Sequence, residues 1–183
     1  MPNSENITPV ILAIICSFSF TCLTGCLNNQ ALNYQEKTLH NDSLTKFAPP
    51  GRWKENIEKF KEQDGKNPPP QNAVLFAGSS SIVGWDTQKW FPDIKTINRG
   101  FGGSYVIDSL YYADSIITPY KPKTIVFYAG DNDTADKKPP EMIFADFKAL
   151  IIKVRKALPE TRIIARMTGV IFSEFGIQTF YFR

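Results

Sequence analysis

Three serines follow a short apolar stretch of this chain, and a serine in that position can act as a nucleophile. Residues 74–77 read as a buried strand that stops at Gly78, Ser79, Ser80 and Ser81. If a helix starts at the serines, a hydroxyl lies beside free backbone N–H groups and the positive end of the helix dipole. That setting suits a nucleophile whose product is an oxyanion. The alternative is an ordinary glycine–serine turn.

Two more turns of this kind follow predicted strands. Gly100–Ser104 contains three glycines in its first four residues, and Gly130–Asp133 contains Asn132. A glycine leaves the backbone N–H unhindered, and an Asn amide donates hydrogen bonds without carrying charge. Each turn alone is more typical of a loop or a helix cap. Three such turns at strand ends favour a site that attacks an ester and holds its oxyanion.

The spacing of apolar residues predicts alternating strands and helices around these turns. The predicted order is helix 52–64, strand 73–77, strand 96–98, a helix capped by Ser104, strand 124–128, a helix from Pro139 to Leu158 and strand 162–165. Short connections between apolar strands predict an α/β fold with a parallel sheet. The carboxyl ends of parallel strands lie at one edge, so the three turns should meet there.

Composition narrows the possible functions. The chain has 183 residues, 43% hydrophobic and 21% charged, as expected of one globular domain. A net charge of only +3, with no basic run, gives no support for nucleic-acid binding. All three cysteines, Cys16, Cys22 and Cys26, precede the predicted domain, which therefore shows no disulfide framework or metal motif.

The residues before the domain predict export. Residues 10–27 are apolar and uncharged, which suits a signal-peptide core or a marginal membrane span. They end in Leu-Thr-Gly-Cys26, which resembles a bacterial lipobox, so Cys26 is the expected lipidation site. The first nine residues contain Glu5 and no Lys or Arg, unlike the basic start of a signal peptide. An uncleaved anchor and another type of signal peptide therefore stay open.

These features divide the chain into a signal or anchor segment 1–27, a polar tether 28–50 and a domain 51–183. We expect attachment to a membrane through the lipid or the apolar segment, and a location in the cell envelope. Leu27 follows Cys26 where an acidic residue would favour the inner membrane, so the outer membrane is favoured.

The three turns together resemble the sequence blocks of the SGNH (GDSL-type) hydrolase superfamily. Residues 76–82 match the first block, with Ser79 where many members have Asp. Residues 98–104 match the second block, and residues 130–133 match the third. By this alignment Ser80 takes the place of the nucleophile.

The resemblance implies a flavodoxin-like three-layer α/β/α sandwich with a parallel sheet. It implies no cofactor and no metal. It also implies a serine esterase or lipase-like acyl hydrolase acting on a small-molecule, carbohydrate or lipid ester. Ser80 would attack the ester, and the Ser80 N–H, the Gly103 N–H and the Asn132 side chain would hold the oxyanion. The choice among these substrates stays open.

The last block of the family, Asp-x-x-His, supplies the general base and does not occur in this sequence. The single histidine, His40, is expected to be a solvated tether residue. After Ala165 the pattern becomes aperiodic, and a final strand and helix of roughly 50 residues are missing by usual element lengths. We therefore expect a truncated domain with impaired activity. Two alternatives are a non-catalytic surface lipoprotein that binds a carbohydrate or acyl ligand, and a fragment without function.

Overall fold

The computed structural model describes residues 37–47, 51–167 and 179–182, the last four as backbone only. The predictions for the signal segment and Cys26 lie outside these residues, as do those for most of the tail after strand 162–165. None of the helices in the described ranges is long and apolar enough to cross a membrane. The same ranges contain no group of His, Cys, Asp or Glu side chains placed to hold a metal ion.

Helices and strands alternate along the described chain, as the apolar pattern predicts. In chain order the elements are α1 37–47, α2 Lys54–Lys66, β1 Val74–Gly78, α3 Ser80–Val83, α4 Thr87–Trp90, β2 Thr96–Gly100, α5 Val106–Tyr111, α6 Ala113–Ile116, β3 Thr124–Ala129, α7 Asp131–Ala135, α8 Pro140–Ala157, β4 Arg162–Met167 and β5 Thr179–Phe182.

The sheet has the strand order β2-β1-β3-β4-β5. Strands β1 to β4 are all parallel, and β5 pairs antiparallel with β4. This confirms the predicted α/β fold with a parallel sheet. The strands that follow β1 in sequence, β2 and β3, lie on opposite sides of it, so the strand order reverses at β1. Such a switch point forms a crevice at the carboxyl edge of the sheet.

One face of the sheet carries the main core. Ile57 of α2, Ile107 of α5 and Phe147 of α8 are all 3% exposed or less and belong to the same cluster as the inward strand residues. The rings of Phe127 on β3 and Phe147 stack at 6.2 Å. Alternate residues of β3 are buried, as a strand with one covered face requires.

The second face of the sheet is covered in part by the segment that contains α3 and α4. Phe76 of β1 contacts the rings of Trp85 and Phe91, at centroid distances of 5.2 and 5.8 Å. A cleft of about 250 Å³ remains on this face, between these rings and the side chains of Val126 and Ile164.

Three local predictions are corrected by the structure. Residues 37–47 form helix α1 instead of part of a tether, and the compact unit that contains the sheet begins at Leu39. Helix α2 runs through Gly65 to Lys66 instead of ending at Asp64. Helix α5 begins after Tyr105, not at a Ser104 cap, because the Asp108 carboxylate accepts the Tyr105 N–H at 2.8 Å.

A buried polar network joins α2 to β2. The Arg99 Nε donates to the Tyr120 hydroxyl at 2.7 Å, and that hydroxyl donates to Asp64 Oδ2 at 2.6 Å. Arg99 is also paired directly with Asp64. Burial raises the pKa of Tyr120 to about 12 because it disfavours the charged phenolate. The hydrogen bond to Asp64 also raises this pKa, since only the neutral phenol can donate to the carboxylate.

We expect the free energy of unfolding to fall as the pH rises from about 10 to about 12. Because folding raises the pKa of Tyr120, the stabilisation is complete below the unfolded pKa and is lost as the pH passes through the folded one. At 1.36 kcal/mol per pKa unit the loss is at most ~3 kcal/mol. Urea unfolding measures it. Tyr120→Phe should remove this component, and Tyr111→Phe, whose ring is exposed, should keep it; equal slopes in both variants would contradict the assignment.

Backbones of β1 and β3 approach so closely at Gly78 that no side chain fits. Gly78 has φ +136°, and a Cβ there would lie 1.9 Å from the Tyr128 carbonyl oxygen. We expect Gly78→Ala to lower the free energy of unfolding by at least ~3 kcal/mol. Gly65→Ala is the matched control, because a Cβ at Gly65 meets nothing within 4 Å and Ala favours a helix. Similar free energies of unfolding for the two variants in urea would contradict the claim that the backbones of β1 and β3 leave no space for a side chain at Gly78.

Candidate functional site

The three predicted turns meet at the carboxyl edge of the sheet. The Gly78 carbonyl at the end of β1 accepts the N–H of Phe101, which follows β2, at 3.0 Å. The N–H of Ser79 donates to the carbonyl of Tyr128, near the end of β3, also at 3.0 Å. Main-chain hydrogen bonds therefore fix the first turn against the second turn and against the end of β3.

The second and third turns are also bonded to each other. The Asn132 side-chain nitrogen donates to the Ser104 carbonyl at 2.9 Å. The N–H of Val106, at the start of α5, donates to the Asp133 carboxylate at 3.0 Å. The three sequence blocks thus form one connected structure although Asn132 lies 52 positions after Ser80 in the sequence.

Ser80 is the first residue of α3 and is exposed, as is Ser81, whereas Ser79 is fully buried. The Ser79 hydroxyl has no hydrogen-bond partner among the described residues. As the first residue of a helix, Ser80 has a backbone N–H without an acceptor inside that helix. The second turn lies against it, since a Cβ at Gly102 would be 3.9 Å from the Ser80 Cβ.

Gly103 is held from outside by the residues that precede α2. It has φ +79°, a left-handed conformation that favours glycine. Arg52 Nη2 donates to the Gly103 carbonyl at 3.2 Å, and the Trp53 ring lies 3.4 Å from where a Cβ would stand. The Arg52 guanidinium also lies over the ring of Tyr105, 4.4 Å from its centroid. The sequence pattern gave Arg52 and Trp53 no role here beyond the start of an amphipathic helix.

Asn132 is the second residue of α7 and is half-buried. Its amide nitrogen carries two hydrogens, and the bond to Ser104 uses one of them. The other hydrogen remains to donate to a ligand. Ser80, Gly103 and Asn132 are therefore on three turns joined by hydrogen bonds, and their catalytic roles stay predictions.

His40 is not a solvated tether residue. It lies on α1 with Nδ1 3.1 Å from Asp146 Oδ1, and its side chain is 23% exposed. Asp146 also accepts hydrogen bonds from Ser43 at 2.5 Å and from Lys138 at 2.6 Å. The prediction for His40 was wrong because its partner lies 106 residues away, which no local pattern reveals.

Buried charges surround the third turn. Asp133 and Lys138 are paired at 3.0 Å, and both side chains are fully buried. Burial raises the pKa of Asp133, and the Lys138 ammonium opposes that rise. Lys138 was not singled out from the sequence, because a lysine in a polar stretch normally indicates a solvated surface.

Comparison with solved structures gives the fold but little sequence identity. The chain is similar to a candidate platelet activating factor of Streptococcus pneumonia, with a TM-score of 0.56 and 22% identity over 74% of this chain and 59% of that chain. It is also similar to a candidate acylhydrolase of Bacteroides fragilis, with a TM-score of 0.53 and 21% identity over 60% of this chain and 56% of that one. A GDSL-like lipase of Bacteroides thetaiotaomicron matches with a TM-score of 0.53 and 19% identity, over 60% of this chain and 57% of the lipase.

The chain thus spans less than three fifths of the length of each of these three proteins. No protein-family model matches the sequence, and no curated protein shows significant similarity to it. The strand order and the structural neighbours agree with the resemblance found in the three sequence blocks. The chain therefore has the α/β fold of the SGNH (GDSL-type) hydrolases.

Proposed function

We propose that this chain is derived from a serine ester hydrolase in which Ser80 is the nucleophile. The observation that carries the proposal is the convergence of three turns around an exposed serine at a helix start. Ser80 offers a hydroxyl, Gly103 stands on the turn that is bonded to the turn of Ser80, and Asn132 stands on the turn that is bonded to the turn of Gly103. N–H donors fixed in advance around a reacting carbonyl are the usual means of stabilising an oxyanion.

In the proposed reaction the Ser80 oxygen attacks the ester carbonyl carbon, and the carbonyl oxygen becomes negatively charged. The N–H groups of Ser80 and Gly103 and the Asn132 amide donate to that oxygen. The C–O bond to the alcohol then breaks, water carries the Ser80 proton to the leaving alkoxide, and a second water hydrolyses the acyl-serine to the free acid and regenerates Ser80. This sequence contains no Asp-x-x-His element to move these protons, so we expect turnover several orders of magnitude below that of a complete triad.

The substrate class and the location belong to the same proposal. Two of the neighbours are described as an acylhydrolase and a GDSL-like lipase, which supports acyl esters of small molecules, lipids or carbohydrates. We propose that the protein is exported and attached to the outer membrane through Cys26. The apolar, uncharged residues 10–27 support this proposal.

Binding without turnover is the second candidate function. It is favoured by one observation: the single histidine of the chain is hydrogen-bonded to Asp146 in a separate cluster with Lys138 and Ser43. In that case the same crevice would bind a carbohydrate or acyl ligand and leave it unchanged.

Ser80→Ala tests the proposed nucleophile. With p-nitrophenyl acetate as substrate, we expect Ser80→Ala to remove at least ~90% of the turnover above the protein-free background, because the acyl acceptor is lost. Ser81→Ala is the matched control, since Ser81 is the next residue and is also exposed. We expect it to stay within about twofold of the parent chain.

Each other outcome has a distinct meaning. Equal turnover in the parent chain and Ser80→Ala would contradict the esterase proposal. Cooperative unfolding of the parent chain without any turnover would favour the binding candidate. Absence of cooperative unfolding would indicate a fragment that does not fold by itself.

A further inference from the structure

A fully buried lysine bridges two fully buried carboxylates beside the candidate site. Lys138 Nζ lies 3.0 Å from Asp133 Oδ1 and 2.6 Å from Asp146 Oδ2, and the three side chains have no exposed surface. Removing one partner from such a cluster leaves an unpaired buried charge, which costs several kcal/mol. The ammonium therefore fixes where both carboxylates lie.

One of these carboxylates ties together the two turns that carry the proposed oxyanion donors. Asp133 follows Asn132 directly, and its Oδ2 accepts the Val106 N–H at 3.0 Å. Val106 begins α5, three residues after Gly103. With one oxygen on Lys138 and the other on Val106, the Asp133 carboxylate has a single orientation.

The other carboxylate attaches α1 to the same ammonium. Asp146 accepts the Ser43 hydroxyl at 2.5 Å and lies 3.1 Å from His40 Nδ1. Lys138 also lies 5.1 Å from the centroid of the Phe47 ring at the end of α1. The bonded path therefore runs from α1 through Asp146 and Lys138 to Asp133.

We propose that Lys138 is a positioning residue that sets the distance between the Gly103 and Asn132 donors, with α1 as the outer support. This inference rests on the proposed function for the meaning of those donors. Its physical basis is that Asp133 without its ammonium turns toward water and releases the Val106 N–H. Among the described residues, the Asn132–Ser104 bond and the bond from the Tyr105 hydroxyl to Asp136 then remain between these two segments.

Lys138→Met in the full chain tests the inference, with Lys137→Met as the matched control. Lys137 is the preceding residue and is exposed. We expect Lys138→Met to speed hydrogen exchange of the Val106 amide at least ~10-fold relative to Lys137→Met, under conditions where both variants are folded. Unchanged exchange at Val106 would overturn the inference.

Turnover of p-nitrophenyl acetate gives the second readout. We expect Lys138→Met to lower kcat at least ~10-fold with KM within about twofold, because misplaced donors weaken transition-state binding. A proportional rise in KM with kcat unchanged would overturn the positioning role. If the parent chain shows no turnover but exchange at Val106 still accelerates, the proposed function fails and the positioning of the turns by Lys138 is supported.

A second variant applies if Lys138→Met does not fold. Lys138→Met/Asp146→Asn leaves one buried carboxylate instead of two, so we expect it to recover cooperative unfolding. The contact between Lys138 and Asp133 is still missing in this variant, and we expect fast exchange at Val106 and low kcat to persist. Parent-like exchange and kcat in the double variant would overturn the inference.

Discussion

The structure depends on the close backbone contact between β1 and its two neighbours at Gly78. The Gly78 carbonyl accepts from the turn after β2, and the next N–H donates to the carbonyl of Tyr128 on β3. No side chain fits at this point, because a Cβ would lie 1.9 Å from that carbonyl oxygen. The chain must therefore turn sharply after β1, which places Ser80 on the surface at the start of a helix while Ser79 is buried.

Much of the fold was predictable because its signals are local. Apolar strands followed by glycine-containing turns identified β1 and β3, and the glycine-rich turn after residues 96–98 identified β2. The 3.6-residue period identified α8, which runs from Pro140 to Ala157. The same locality explains what was missed. His40 and Ser43 lie in a polar stretch without period, and their partner Asp146 lies 106 and 103 residues away in the sequence. The buried position of Lys138 could not be predicted for the same reason. A lysine is buried only where carboxylate partners surround it, and local sequence does not show where those partners lie.

The candidate site separates two tasks that a complete serine hydrolase combines. The proposed oxyanion donors, two backbone N–H groups and one side-chain amide, all lie on the three turns. Main-chain and side-chain hydrogen bonds connect these turns. Activation of the serine needs a base, and the one histidine of the sequence is bonded to Asp146 within a buried ion cluster. In the proposed reaction, the three turns therefore supply the oxyanion donors, and we expect slow proton transfer to limit the rate.

The central claim is that Ser80, Gly103 and Asn132 surround one oxyanion position. A crystal structure of the adduct formed with an alkyl fluorophosphonate tests it most directly, because the phosphonyl oxygen takes the place of the oxyanion. The account predicts a bond from phosphorus to the Ser80 oxygen, with the phosphonyl oxygen about 3 Å from the nitrogens of Ser80 and Gly103 and from Asn132 Nδ2. An adduct on another residue, or a phosphonyl oxygen directed into solvent, would contradict it.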